Sequence, residues 1–502
     1  MLARDFIEDS LYNPNYGYFA TKVEIFDPDR AGGDDMAAER TEGFDFTSFR
    51  STTDFENEVA RRYMVFEGRG SSGEEPAAGE KAGRQVWHTP TELFKPWYAR
   101  SLARYIAHAY LNPTARASPS AQHYGYPYSD LVIYEIGAGN GTLMGDILDY
   151  LATHEPAVYA RTKYRIIEIS ERLSELQKQR VAPGVSADGG GDDVVRELAE
   201  MRKRGHEGKV EVVRKSIFEW DKVVEDECFF VAMEVLDNLP HDVIRYDLDT
   251  LQPLECTVAI DTTGDFTELF SPVNDPLLAR YLSLRAHLTP HTPNLPPSRV
   301  VHPLLSRFPL LRQAYTSLPF AANLSKPEFV PTRQLELLEI LRDYFPRHRV
   351  VMADFSELGE AVEGECGPVV QTRYAGETVP CTTYLVQQGF FDIFFPTNFH
   401  TMAELYSAVM SRSSPSQPHD GLFSHPAANR NSHSSITSTI SSSPSPLSPT
   451  FFSPRSGPKR RELRIVDHAS FLEEWAEVEM TRTKDGSNPL LDSYANAKFA
   501  LS

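Results

Sequence analysis

Leu131-Val-Ile-Tyr-Glu-Ile-Gly-Ala-Gly-Asn-Gly-Thr-Leu-Met-Gly-Asp-Ile-Leu-Asp-Tyr-Leu151 decides the fold. Leu131 to Ile136 is a short apolar run of the kind that fills the centre of a parallel sheet. From Thr142 onward, Leu143, Ile147, Leu148 and Leu151 recur at helical spacing. The stretch therefore reads as strand, glycine turn, helix. Gly137, Gly139 and Gly141 allow φ > 0 and a close backbone approach, and the first N–H groups of the helix remain free to donate, which describes a cofactor cradle. A dinucleotide fingerprint needs G-x-G-x-x-G, but Thr142 stands five residues after Gly137, and a P-loop needs a lysine that is missing here. What remains is an acid, Glu135, two residues before the first of three alternate glycines. A tight strand-to-helix turn with no ligand is the competing reading.

Downstream, Tyr164 to Ile169 is a second strand, and Ser170 caps a helix over Glu171 to Arg180. Glu168 then sits at a strand's carboxyl end, where an open α/β sheet keeps its ligands and where an acid can accept both hydroxyls of a ribose. Lys209 to Val213 is a third strand, followed by a loop in which Ser216 and Ile217 can lie against an adenine ring. A fourth strand, Cys228 to Met233, runs into Glu234-Val-Leu-Asp-Asn-Leu-Pro240. That segment brings two carboxylates, Glu234 and Asp237, beside the glycine turn; alternatively Asp237 merely caps the next helix. Arg349 to Phe355 is a fifth strand.

The periphery is more varied. Arg4 to Phe19 pairs an amphipathic helical turn with an aromatic cluster broken by Pro14 and Gly17. Thr89-Pro-Thr-Glu92 is a capping box, predicting a helix to about Tyr110 that bends at Pro96. Asp275 to Phe345 carries helical periodicity between proline-rich turns and reads as a helical, substrate-side insertion, covering about 270–345. Tyr384 to Phe395 is β-prone, and Thr401 to Met410 helical. Residues 27–42, 68–83 and 189–208 are polar insertions. Ser411 to Lys459, with five Ser-Pro pairs, cannot bury enough apolar surface to order itself. Order resumes with a strand over Glu462 to Val466 and a helix from Phe471. The expected organisation is an N-terminal cap over 1–125, an α/β core over 126–410, a disordered insertion over 411–460, and a C-terminal strand and helix over 461–502 that complete the core.

The chain has 502 residues, 41% of them hydrophobic, enough for one large domain with insertions. A net charge of −20 repels a phosphate backbone, which argues against nucleic acid and for a basic protein or peptide partner. Cys228, Cys256, Cys366 and Cys381 are too scattered for a metal site, and none is expected. No apolar run reaches membrane length, and no secretory signal or Ser/Arg-rich leader opens the chain as given.

Leu11-Tyr-Asn-Pro-Asn-Tyr-Gly-Tyr-Phe19, Thr89-Pro-Thr-Glu92, Glu135-Ile-Gly-Ala-Gly-Asn-Gly-Thr-Leu-Met144, Ile167-Glu-Ile-Ser170 and Glu234-Val-Leu-Asp-Asn-Leu-Pro240 together resemble the ordered motifs of the MidA-type methyltransferases, which include the mitochondrial complex I assembly-factor arginine methyltransferases. The resemblance implies a doubly wound, seven-stranded α/β sheet whose last strand, Glu462 to Val466, is antiparallel near one edge. It implies S-adenosyl-L-methionine as cofactor, Gly137, Gly139 and Gly141 at its methionine end, Glu168 at its ribose, and Glu234 and Asp237 facing the acceptor. It further implies methyl transfer to an arginine of a complex I subunit and a mitochondrial location, whereas the missing leader and the Ser-Pro sites suit the cytosol. The sequence departs from the family where Val235 and Leu236 stand in place of two aromatics, and where the turn reads Gly-Ala-Gly-Asn-Gly instead of Gly-Pro-Gly-Arg-Gly. Methylation of another acceptor and a non-catalytic scaffold are the alternatives. The oligomeric state is not legible.

Overall fold

The structure, a computed structural model, describes residues 1–29, 43–68, 85–112, 129–181, 206, 208–288, 296–359, 361–374, 377–412 and 461–502. Seven strands form its main sheet: β1 (Leu131–Ile136), β2 (Thr162–Glu168), β3 (Val210–Arg214), β4 (Cys228–Met233), β5 (His348–Phe355), β6 (Arg464–Asp467) and β7 (Ala497–Leu501), in the order β6-β7-β5-β4-β1-β2-β3. Every residue of β1 and β4 is buried, as uniformly apolar central strands require. The parallel registers pair Ile136 with Ile167 and with Ala232, and Met233 with Ala353. The carboxyl ends of β2, β1, β4 and β5 therefore line up along one rim.

Helices cover both faces of this sheet. On one, the helix Trp97–Leu111 and the helix Thr142–His154 bury Tyr98, Leu102, Ile106, Ile147 and Leu151. On the other, the helices Thr332–Tyr344 and Phe399–Met410 bury Leu338, Leu341, Leu405 and Tyr406 against Tyr134 and Phe230. A four-stranded antiparallel sheet stands beside the main one: Asp242–Tyr246, Pro253–Ile260, Phe266–Pro272 and Glu328–Val330. The N-terminal helix Ala3–Tyr12 packs Phe6, Ile7 and Leu11 on it. Buried Arg4 fastens that helix, donating to Asp242 at 2.5 Å and to Asp275 at 3.1 and 3.2 Å.

Several expectations need correction. The antiparallel strand of the main sheet is β7, not residues 462–466: β7 pairs antiparallel with both β5 and β6, so β6 runs parallel to the rest at the edge. The helix expected from Thr89 to Tyr110 is two helices, Pro90–Leu93 and Trp97–Leu111, because Pro96, in a cis peptide, cannot continue the first. The capping box is half formed: Thr89 accepts from the Glu92 N–H at 3.2 Å, while the Glu92 carboxylate turns elsewhere. Helices do occupy 275–345, but Glu328–Val330 is a strand that completes the second sheet. Between Tyr384 and Phe395 only Asp392–Phe394 is a strand, paired with Val369–Tyr374. The disorder expected for 411–460, and most of the other polar insertions, lies outside the described residues.

Candidate functional site

A cavity of about 1190 Å³ opens on the rim formed by β2, β1 and β4. Glu135, Gly137, Gly139, Glu168, Ser216, Ile217, Glu234 and Asp237 all line it, although they come from four strand ends scattered over a hundred residues. Gly141 does not; at φ 75° it starts the helix Thr142–His154 instead. Tyr12, Phe19 and Ile25 from the N-terminal segment, and Asp392 and Phe394, close the far side.

The turn after β1 takes φ 68° at Gly137 and 52° at Gly139. A methyl group at Gly137 would come within 2.5 Å of Val235 Cγ2, and one at Gly139 within 2.6 Å of Ile25 Cδ1. The absent side chains thus make room for the segment after β4 and for the N-terminal segment. Beyond the turn, Gln177 Nε2 donates to Gly139 O and to Glu168 Oε2, both at 2.9 Å. Glu168 Oε1 accepts the Ser170 N–H at 2.8 Å, so its carboxylate is held rigidly at the end of β2. Burial raises its pKa. Glu135 accepts from Tyr164 Oη at 2.8 Å, and burial pushes its pKa up to about 7. Ser216 Oγ accepts the Phe218 N–H at 3.2 Å, capping a short turn whose Ile217 is buried.

The acidic pair lies opposite. Glu234 is half-buried and holds φ 53°, a left-handed conformation costly for a non-glycine residue. It is kept there because its N–H donates to Ala353 O at 2.9 Å, and Asp354 Oδ2 accepts the N–H groups of Leu236 at 2.7 Å and Asp237 at 3.1 Å. Asp237 is buried, and its Oδ1 meets no hydrogen-bond donor among the described residues. Burial and the nearby Asp354 raise the pKa of both Glu234 and Asp237, with Asp392 and Glu234 adding to the effect on Asp237. Burial also pushes Asp354 and Asp392 up to about 7. Arg172, Arg214 and Lys215 line the cavity too, but no cation contributes to the shifts of Glu234 and Asp237, so this cluster of carboxyls suits a positively charged group.

Four residues of this arrangement escape the sequence reading. Glu92, expected only as a cap, accepts Asn140 Nδ2 at 2.9 Å and Thr142 Oγ1 at 2.7 Å, tying the turn to the segment before it. Lys95 holds Glu92 at 3.4 Å and Asp27 at 2.6 Å, so the N-terminal segment is pinned to the same network. Asp354 lies next to the end of β5 and Asp392 opens the strand Asp392–Phe394, and no local motif marks either. Asn238 Nδ2 donates to Asp392 at 3.3 Å.

With this geometry in view, residues 117–415 match the family model described as "Putative S-adenosyl-L-methionine-dependent methyltransferase". The chain belongs to that family. This methyltransferase uses S-adenosyl-L-methionine as its cofactor. It is 22% identical over 247 residues to the protein arginine methyltransferase NDUFAF7 homolog, mitochondrial, of Schizosaccharomyces pombe, a match covering 49% of this chain and 48% of that protein. The chain thus spans about half the length of that curated relative. A COG1565 superfamily member from Burkholderia thailandensis bound to S-adenosyl-homocysteine is 16% identical, with 82% of this chain and 72% of that one covered and a TM-score of 0.43. A second structure of that superfamily from the same organism is 17% identical, with 71% and 75% covered and a TM-score of 0.38. Among the described residues no helix is long and apolar enough to cross a membrane, and no group of three or more His, Cys, Asp or Glu is arranged to hold a metal.

Proposed function

We propose that this methyltransferase transfers its methyl group to a guanidinium nitrogen of an arginine-bearing protein, a subunit of mitochondrial respiratory complex I. The observation that carries the reading is Asp237, which lines the same cavity as Glu234 and the glycine turn and whose Oδ1 is buried with no donor among the described residues. The family resemblance and the name of the fission-yeast relative support arginine and the mitochondrion.

The donors present fit the cofactor. Glu168 would accept the ribose hydroxyls, Ile217 and its neighbours would flank the adenine, and the turn from Gly137 to Gly139 would hold the methionine end with Glu135 behind it. At about 1190 Å³ the cavity exceeds the usual size for a single small ligand, leaving room for an incoming side chain. The bound cofactor supplies an electrophilic methyl group on a sulfonium. Everything else falls to this chain.

A guanidinium is protonated at neutral pH and offers no free lone pair. Glu234 and Asp237 would grip its N–H groups as a fork, fixing the attacking nitrogen and drawing density toward it. One of these carboxylates would take the proton that the nitrogen sheds. Their raised pKa values make them better proton acceptors once a cation has ionised them. Tyr12, whose hydroxyl donates to Asn238 O at 3.0 Å, and Phe19 would help exclude water from the mouth.

The test is transfer of label from methyl-labelled cofactor to purified complex I subunits, followed by hydrolysis and amino-acid analysis. Methylarginine is the expected product, lost in Asp237→Asn. Label on another residue type would replace arginine with that acceptor, and cofactor binding without any transfer would favour a scaffold.

A further inference from the structure

Between Asp275 and Glu328 the chain has no Asp or Glu across 52 residues, although it carries 70 such residues in all. Arg280, Arg285, Arg299, Arg307, Arg312 and Lys326 fall within that span, so a chain of net charge −20 contains one uniformly basic segment. The same segment holds the densest exposed apolar surface among the described residues. Leu304, Phe308, Leu310, Leu311, Leu318 and Phe320 all stand in solvent, Leu310 at 83% of its full exposure and Phe320 completely. They sit on a knuckle made of the helices Pro303–Arg307 and Pro309–Thr316 and the turn after them.

Isolated exposed leucines need no explanation, but six large apolar side chains within seventeen residues do. The second helix of the knuckle has no fully buried residue: Tyr315 rests against the core on one side, while Leu310 and Leu311 are exposed. A short helix that rests on the body by one side and carries exposed leucines elsewhere, beside basic side chains, presents the kind of apolar surface that the headgroup boundary of a bilayer takes up.

Charge points the same way. Arg285 and Arg280 are paired with Glu328 and Glu339 in the body of the protein, and Lys326 and Arg299 lie 2.9 and 3.9 Å from Glu363 and Glu365. On the knuckle itself, among the described residues, Arg312 donates only to the neutral carbonyls of Asp249 and Leu305, both at 3.0 Å, and Arg307 is exposed. Their charges are therefore available to an anionic surface.

We propose that the knuckle over residues 303–320 docks the protein on an anionic lipid surface, its leucines and phenylalanines entering the headgroup boundary while Arg307 and Arg312 meet lipid phosphate and carboxylate. None of residues 276–288 or 296–327 lines the cavity, so docking leaves the methyl-transfer site open.

The full chain is floated with vesicles of phosphatidylcholine alone and of phosphatidylcholine with phosphatidylserine. Binding is expected to the second and to weaken as salt is added. Leu310→Ser with Phe320→Ser should reduce it by at least about tenfold, and Arg307→Glu should reduce it further. Both apolar side chains are exposed, so the double variant keeps the wild-type thermal midpoint, cofactor affinity and methyl transfer, which separates this test from that of the arginine reading. Three results would overturn the proposal: no flotation with anionic vesicles, equal flotation with both compositions, or flotation untouched by the double substitution. A concentration-dependent dimer that the same double variant abolishes would also overturn it, in favour of a second copy of this chain.

Discussion

Asp237 and Glu168 are both acids at strand ends, yet their surroundings give them different work. Asp237 has one oxygen with no donor among the described residues and several carboxyls around it, an arrangement that costs stability when ionised and is relieved by a proton or by a cationic ligand. Asp237→Asn keeps the shape and removes the charge. Methyl transfer should fall by about 10²–10⁴-fold, the usual loss for a proton acceptor, with cofactor affinity unchanged and the thermal midpoint equal or higher. Turnover within a few-fold of wild type would exclude Asp237 as the acceptor's partner. Glu168 is instead fully engaged, with Ser170 and Gln177 setting the direction of its carboxylate. Glu168→Ala removes a charge-assisted bond and frees Gln177, which also holds Gly139. Calorimetry should find cofactor affinity lower by about 10–100-fold. Unaltered affinity would move the ribose elsewhere.

At the scale of elements, legibility follows burial. β1 and β4 could be read directly because central parallel strands are apolar without interruption, and the helix after Thr142 because its apolar residues share one face. The strands Pro253–Ile260 and Phe266–Pro272 are half-exposed and mix Glu, Thr and Ser among their apolar positions, so neither period stands out. That Gly137, Gly139, Glu168 and the acidic pair lie at strand ends was legible for the same local reason. Asp354 was not, since its partner Leu236 lies 118 residues away, and Glu92 looked like a cap because its real partner Thr142 is 50 residues on. β7 is the costliest omission. Ala-Lys-Phe-Ala-Leu has no β-branched residue and two alanines, so it does not read as a strand, yet Phe499 and Leu501 are buried and the strand joins β5 to β6. Deleting residues 497–502 should detach β6 and the helix His468–Trp475, open the core around Phe471, and leave a protein without a cooperative thermal transition. A truncated chain that melts cooperatively near the wild-type temperature would show β7 to be dispensable.

For the molecule as a whole, acidity and stability are linked through the carboxyls buried in and behind the cavity wall. Asp354 and Asp392, ordinarily near 3.8, and Glu135, ordinarily near 4.5, are each pushed up to about 7, burial being the largest cause in every case. Folding therefore takes up protons between about pH 4 and 7, where the unfolded chain is already ionised. Their favourable contribution is complete below about pH 4 and disappears as the pH rises through 7, so stability measured by urea denaturation should fall steadily from pH 5 to 8. Asp392→Asn keeps an oxygen that can accept from Asn238 and abolishes one of these titrations. The variant should be more stable than wild type at pH 8 and show a shallower pH dependence, by about one proton across the window. A cationic ligand should have the opposite effect to alkali: an arginine peptide binding among these carboxyls ionises them, releases protons, and stabilises the protein most at high pH. If the slope is the same in Asp392→Asn, or if peptide binding moves no protons, the buried carboxyls are not what the cavity presents to its substrate.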